Sequence, residues 1–460
     1  RALLLACISA LILTGKASPV LIHDVPIWRD PNATVHARVA DLLSVLTLDE
    51  KIGLMDSHSW GVPRLDIANF TWGNECLHGV VGHSPDIKTT VFPQPIGLGA
   101  SFNEPLVQAI ATAVSDEVRA LSNAGKGDEG LSCWAPNINI FRDPRWGRGS
   151  ETYGEDPILT SLLAAAYVRG LQGSVNITDS AHSYLKLIAT PKHFAAYSLE
   201  EFDGISRHEF NAWVDPEDMA DTYLPAWDAI VDAGAASVMC SYNEVNGTPA
   251  CANSELIADE LRGRMGFDGH VVSDCGAVID IFQNHRYASS LANATAEAVR
   301  AGTDVDCGAG YVGMGGLHEA LAAGLLNTSD IDLAAGRSLT NRFRIGEFDP
   351  PELVPWRSIP LSVVNSPEHV ELAARAARES MVLLKNEGNL LPLQLEGPNG
   401  VRKIAVIGPA ANNTELLLGN YHGQPLTEET PLSALTAAAE RHNVSVGYQE
   451  GAAILGEGVW

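Results

Sequence analysis

Phe267-Asp-Gly-His-Val-Val-Ser-Asp-Cys-Gly-Ala-Val-Ile-Asp280 is the stretch on which the reading of the fold turns. His270-Val271-Val272 is short, branched and apolar, and it follows the turn pair Asp268-Gly269, so a buried strand is predicted here. Ser273 and Asp274 end that strand, Gly276 follows, and an apolar run then opens a helix. An acid at the carboxyl end of a buried strand, with glycine beside it, is the placement an α/β barrel uses for its chemistry. Asp274 is therefore the first candidate functional residue.

Working outward, similar apolar runs ending in polar residues occur at 68–72, 96–100, 133–140, 187–190, 236–240 and 303–306. Helical periodicity fills the gaps. Thr47-Leu-Asp-Glu50 has capping-box form and follows a helix expected near 36–46. Asn103-Glu-Pro105, Asp156-Pro157 and Asp215-Pro216 each offer a cap and an early proline, for helices reaching Leu121, Leu171 and Val231. Asn253 is expected to cap a helix through Arg264. This alternation predicts an α/β fold, a (β/α)8 TIM-like barrel over 25–346. A doubly wound dinucleotide fold is the rival, but the glycines at 308–316 lack its spacing.

Phe348-Asp-Pro-Pro-Glu352, Pro355 and Pro360 mark a linker, taken as 347–366. Ser366-Pro367 then caps a helix, 381–384 is apolar, and Lys403-Ile-Ala-Val-Ile407 reads as a strand. The remainder, 367–460, is small for a whole α/β domain and reads as the start of an α/β sandwich, cut short.

The net charge of −26 over 460 residues argues against nucleic acid or an anionic membrane as partner. Arg1, the apolar run through Leu13 and the small residues up to Ser18 have the form of a secretory signal peptide at 1–18. That run is shorter than the roughly 20 apolar residues of a membrane span. Asn-X-Ser/Thr sequons begin at Asn32, Asn69, Asn176, Asn246, Asn293, Asn327, Asn412 and Asn443, which favours a secreted protein carrying N-linked glycans. Cys7 lies in the signal segment. The other six cysteines suit disulfides, with Cys240–Cys251 and Cys275–Cys307 the preferred pairs among fifteen possible connectivities.

Four further polar clusters sit where apolar runs end: Trp72-Gly-Asn-Glu75-Cys-Leu-His78-Gly79, Phe141-Arg-Asp-Pro-Arg145-Trp-Gly-Arg148-Gly-Ser-Glu151, Thr190-Pro-Lys192-His193-Phe194 and Cys240-Ser241-Tyr242-Asn243. With Asp274 they supply charged groups that grip hydroxyls, aromatic faces for a sugar ring, and a carboxylate for an anomeric carbon. Each has a structural reading as well. Glu75 can pair with a nearby Arg, the 142–156 charges can form an ion network, Lys192–His193 can be a buried polar pair, and Tyr242 can be rim packing. His58, His78 and His83 have neither HxH nor HExxH spacing, and read as caps or core hydrogen-bonding groups rather than metal ligands.

Read in order, Glu-Cys-Leu-His-Gly, Arg-Trp-Gly-Arg-Gly-Ser-Glu, Lys-His-Phe, Cys-Ser-Tyr-Asn and Val-Val-Ser-Asp resemble glycoside hydrolase family 3, from about residue 25 to the end. Their variants look most like its fungal and plant β-xylosidase branch. The resemblance implies that Asp274 is the nucleophile of a retaining mechanism and that Glu75, Arg148, Lys192, His193 and Tyr242 hold the non-reducing-end sugar. Arg207 is a further sugar-binding candidate, at a longer spacing from His193 than in the β-glucosidases. No metal or organic cofactor is implied. The family's acid/base glutamate belongs to the second domain, in xylosidases within a Glu-Ala-Glu-Gly-like run. None is found here: Glu415, Glu428, Glu429, Glu450 and Glu457 do not match that context. Impaired turnover is therefore expected of this chain. The expected protein is a secreted exo-β-xylosidase acting on xylo-oligosaccharides. A β-glucosidase, an α-L-arabinofuranosidase, a non-catalytic sugar-binding relative and a metal-dependent barrel hydrolase are the alternatives.

Overall fold

The computed structural model describes residues 25–81, 86–127, 130–173 and 183–452. The expected signal segment, Cys7, His83, the sequon at Asn176 and Glu457 lie outside them.

Helices begin where local chemistry starts them. Thr47 and Glu50 form the reciprocal capping box that opens Leu48–Gly53. Asn103 accepts from Leu106 N at the head of Glu104–Asn123. Asp156 accepts from Ile158 and Leu159 N at the head of Pro157–Gln172. Asn253 likewise accepts from Leu256 N. Two readings are corrected. The run 96–100 is no strand but the helix Pro95–Gly99: Pro95 takes the first helical position, and a Cβ on Gly99 would lie 2.1 Å from the Tyr153 carbonyl oxygen. The continuous helix expected from Pro216 to Val231 is broken, because Pro225 has no N–H to donate. The chain makes a wide turn over Met219–Tyr223 and restarts at Pro225–Asp232. Residues 381–384 are an exposed, irregular apolar segment.

The fold is α/β, with short sheets, and among the described residues no one of them closes on itself. His270–Ser273 pairs in parallel with Ser237–Cys240, and Ser132–Cys133 with Ile188–Ala189. Single parallel bridges join Phe194 to Cys240, Asn137 to Lys192, Val272 to Val305 and Asp306 to Asp56. His58–Ser59 lies antiparallel to Phe70–Thr71, and the Gly130 and Trp134 amides reach back to the Thr71 and Asn74 carbonyls. Around these strands helices such as Glu104–Asn123 and Pro157–Gln172 pack into one large apolar core, with Val107, Ile110, Leu163 and Val168 fully buried. A smaller core joins Trp28 and Leu42 to Leu339 and Phe343, and beside it buried Arg38 pairs with Asp349.

Gln172 fixes how helix meets strands. Its Oε1 accepts from Ala189 N at 3.2 Å and Ala236 N at 2.9 Å, while its Nε2 donates to the Gly234 carbonyl. Both expected disulfides are present, and the remaining two cysteines, Cys76 and Cys133, form the third bond.

The stretch 347–366 is a strap of short turns. Asn123 donates to the Trp356 and Ile359 carbonyls, and the Trp356 indole donates to the Tyr184 carbonyl. After the helix Pro367–Glu379, capped by Ser366, the second unit pairs Lys403–Ile407 with Ser445–Gln449 in parallel. Its loop 418–424 returns to the first unit: the Gln424 carbonyl accepts from Thr89 N, and Gly423 sits where a Cβ would lie 2.0 Å from the Thr89 hydroxyl oxygen.

Replacing Gln172 by Leu leaves the Ala189 and Ala236 amides buried without an acceptor. The variant is expected to lose about 3 kcal/mol of stability, read as a lowered urea midpoint. An unchanged midpoint would show that the bonds contribute nothing.

Candidate active site

Asp274 leaves its strand with its amide bonded to the Cys240 carbonyl at 3.0 Å. Gly276, at φ 92°, then turns the chain into the helix Ala277–Gln283. This tight exit holds the carboxyl at the strand end. Its Oδ1 accepts from Cys275 N at 2.8 Å, and its Oδ2 is buried without a hydrogen-bond partner. Burial raises the acid above the ordinary aspartate range, opposed by the Arg148 and Lys192 charges and the Tyr242 hydroxyl.

Oδ2 faces His193 Nε2 at 3.5 Å. Asn139 sets the imidazole: its Oδ1 accepts from His193 N at 3.0 Å and Nδ1 at 2.9 Å, and its Nδ2 donates to the His193 carbonyl at 2.9 Å. With the proton on Nδ1, Nε2 is an acceptor. Burial, and then the Arg148, Lys192 and Arg207 charges, hold the ring well below the usual histidine range, so it is neutral. Two acceptors facing one space, Asp274 Oδ2 and His193 Nε2, call for a ligand that brings hydroxyl hydrogens.

On one flank, Lys192 Nζ bonds both Glu75 oxygens, at 3.0 and 2.7 Å. Burial raises Glu75 although Lys192 pulls it down. On the other flank, Arg148 grips Glu151 through two bonds of 2.9 and 2.8 Å. Burial would raise Glu151, but Arg148 outweighs it and holds the acid lowered. Tyr242 is buried under the Arg207 guanidinium, 4.4 Å above its ring, and Arg207 also pairs with Glu200 at 3.2 Å.

All seven residues singled out from the sequence thus come together: Asp274, Glu75, Arg148, Lys192, His193, Tyr242 and Arg207. Arg145 does not join them. It forms an exposed ion pair with Asp143, as the network reading of that segment anticipated. Among the described residues no group of three or more metal-binding side chains gathers.

Four contributors were not singled out. Asn139 lies near the end of the apolar run 133–140, where it could have been suspected. Tyr197 sets its ring against His193, Tyr242 and Trp146 and has the Arg148 guanidinium 5.6 Å from its centre. Asn420 and Tyr421 come from the second unit. Asn420 Nδ2 donates to Glu151 at 2.8 Å, and the Tyr421 ring centre lies 4.7 Å from Lys192 Nζ. No local signal marks these two.

The glycosyl hydrolase family 3 N-terminal domain matches residues 62–340, and its C-terminal domain matches 381–454. The chain belongs to glycoside hydrolase family 3. Among curated relatives, Beta-D-xylosidase 1 of Arabidopsis thaliana is 42% identical over 89% of this chain and 52% of its own length. Xylan 1,4-beta-xylosidase of Xylanibacter ruminicola is 41% identical over 90% of this chain and 47% of its own. The chain thus spans about half the length of the curated relatives it matches. Among solved structures, a family 3 exo-beta-xylosidase (XlnD) bound to a xylobiose aziridine probe is similar with a TM-score of 0.84 and 38% identity, covering 92% of this chain and 54% of that one. A beta-glucosidase from Listeria innocua in complex with glucose is similar with a TM-score of 0.75 and 29% identity, covering 92% of this chain and 61% of that one.

Lys192→Met leaves the Glu75 carboxylate buried without its cation. The expected loss is about 3 kcal/mol near neutral pH. The acid's affinity for a proton rises further in the variant, so the loss shrinks as pH falls and Glu75 becomes neutral. Thermal unfolding across pH reads this, and a loss independent of pH would contradict the pairing.

Proposed function

We propose that the protein is a retaining exo-β-xylosidase that releases xylose from the non-reducing ends of xylo-oligosaccharides. One observation carries the reading: a buried aspartate with an unpartnered oxygen stands among paired cations and acceptors suited to a polyhydroxylated ring. The similarity to xylosidases from plants and bacteria supports xylose as the sugar.

Asp274 Oδ2 attacks the anomeric carbon as the glycosidic bond breaks, and the bond electrons leave with the aglycone oxygen, which takes a proton from a general acid. Water then cleaves the covalent xylosyl–aspartate. Glu75, Lys192, Arg148, His193 and Arg207 hold the sugar hydroxyls, and Tyr242 flanks the nucleophile. The general acid is left unassigned. The architecture we infer is a TIM-like barrel followed by an α/β sandwich unit. The lateral bonds running from Asp56 through Thr71, Cys133, Ala189, Cys240, Ser273 and Asp306 support the barrel. Secretion and N-glycosylation are part of the same proposal. Three disulfides support them, as do the exposed sequon asparagines 32, 69, 246, 327, 412 and 443.

A 2-fluoro-xyloside with an activated leaving group bypasses the general acid and tests the nucleophile alone. Wild-type protein is expected to gain one fluoroxylosyl mass at Asp274, and Asp274→Asn to gain none. Labelling of another residue, or undiminished labelling of the variant, would sink the assignment. Because the carboxylate must be ionised and burial raises its pKa, labelling should climb with pH through an inflection above the ordinary aspartate value of about 3.9. Initial rates on aryl xyloside, glucoside and arabinofuranoside decide among the family's sugars. Xylose binding without labelling would instead indicate a non-catalytic sugar-binding protein.

A further inference from the structure

His78, three residues beyond Glu75, is 1% exposed. Its Nδ1 is 2.8 Å from the Phe92 carbonyl oxygen, and its Nε2 is 2.7 Å from the Asn420 carbonyl oxygen. A carbonyl oxygen only accepts, and a neutral imidazole has one N–H and one lone pair. The neutral ring would therefore set a lone pair against a carbonyl at hydrogen-bond distance. Two such contacts are satisfied together only when both nitrogens carry protons.

The Asn420 side of this contact matters to the site. Asn420 donates to Glu151, the partner of Arg148, and Tyr421 beside it covers Lys192 and Arg148, with ring centres 4.7 and 5.9 Å away. Gly419 and Gly423 let the loop approach this closely: a Cβ on either would collide with Gln94 or Thr89. We propose that His78 is a positioning residue, an imidazolium that holds the second unit's loop 418–424 across the sugar site by donating to both the first unit and the loop.

The latch is read from hydrogen bonds alone, but its consequence for sugar binding rests on the function proposed above. The charged and titratable groups around the ring act in both directions. Burial opposes the cation most strongly and, although the two carbonyls support it, holds the ring below the usual histidine range, so the doubly protonated state belongs to acid. His422, on the loop itself, opposes it, and Glu151, on the first unit, supports it. Beyond Glu151 stand its partner Arg148 and the Glu75–Lys192 pair. Loss of the proton leaves one N–H for two carbonyls and releases one end of the clamp.

Hydrogen exchange of the 418–424 amides, corrected for intrinsic rate, tests this on the full chain without any sugar. Protection is expected to be greatest in acid and to fall about tenfold as pH rises through a midpoint below the ordinary histidine value of about 6.5. In His78→Gln, whose amide does not titrate, the protection should be low and flat. Protection in the wild type that is constant or rises with pH would overturn the proposal. If the variant does not fold, ring-15N-labelled wild type decides. One buried histidine should show both nitrogens protonated in acid and lose one proton through the same midpoint, and a ring neutral throughout would refute the clamp. Failure of xylose to bind would count against the function proposed above and leave the latch standing.

Discussion

Three carboxylates and two cations share a space that water scarcely reaches, Asp274, Glu75 and Glu151 against Lys192 and Arg148, with Arg207 at its half-exposed rim. Isolated charges cannot be buried this way, because desolvation alone costs several kcal/mol per ion. The pairs Lys192–Glu75 and Arg148–Glu151 make the arrangement tolerable and pin each long side chain in one geometry. Asp274 is left without a charged partner of its own, held instead by fields from Arg148 and Lys192, one backbone amide and the Tyr242 hydroxyl. That asymmetry is what sets Asp274 apart from Glu75 and Glu151 in the mechanism proposed above.

The scaffold exists to deliver these groups to one place. Asp274, Lys192–His193 and Tyr242 stand at or next to the ends of neighbouring parallel segments, joined through the Phe194–Cys240 bridge and the His270–Ser273 pairing. The Cys76–Cys133 bond ties the Glu75 loop to the strand end at Cys133, and Cys275–Cys307 ties the residue after Asp274 to the next segment. Gln172 locks a packing helix to two of those segments through one side chain. Each device removes a freedom that would otherwise blur distances at the site.

What could be read from the residues was whatever is local. The branched run His270-Val-Val and its terminal acid, the capping box at Thr47 and the Asn103 and Asp156 caps need only neighbours in sequence, and all are found. Alternating Ile96, Gly97, Leu98 and Gly99 mimicked a strand, although Gly99 serves close packing of a helix against Tyr153. The hairpin Glu201–Phe202 with Ile205–Ser206, turning at Asp203-Gly204, was passed over although that pair is a turn signal. It carries Arg207 back to Tyr242, which lets the longer spacing from His193 still reach the site. Asn420 and Tyr421 were illegible for another reason: their roles exist only through contacts distant in sequence.

The loop 418–424 makes the site a joint product of both units, since Glu151 answers to Asn420 and Lys192 lies under Tyr421. The central claim is that the paired charges shape a sugar site whose reactive member is Asp274. A crystal structure with xylose bound tests this most directly. The account predicts the anomeric carbon about 3–3.5 Å from Asp274 Oδ2, with hydroxyls on Glu75, Lys192, Arg148 and His193. A sugar bound elsewhere, or one whose anomeric carbon points away from Asp274, would contradict it.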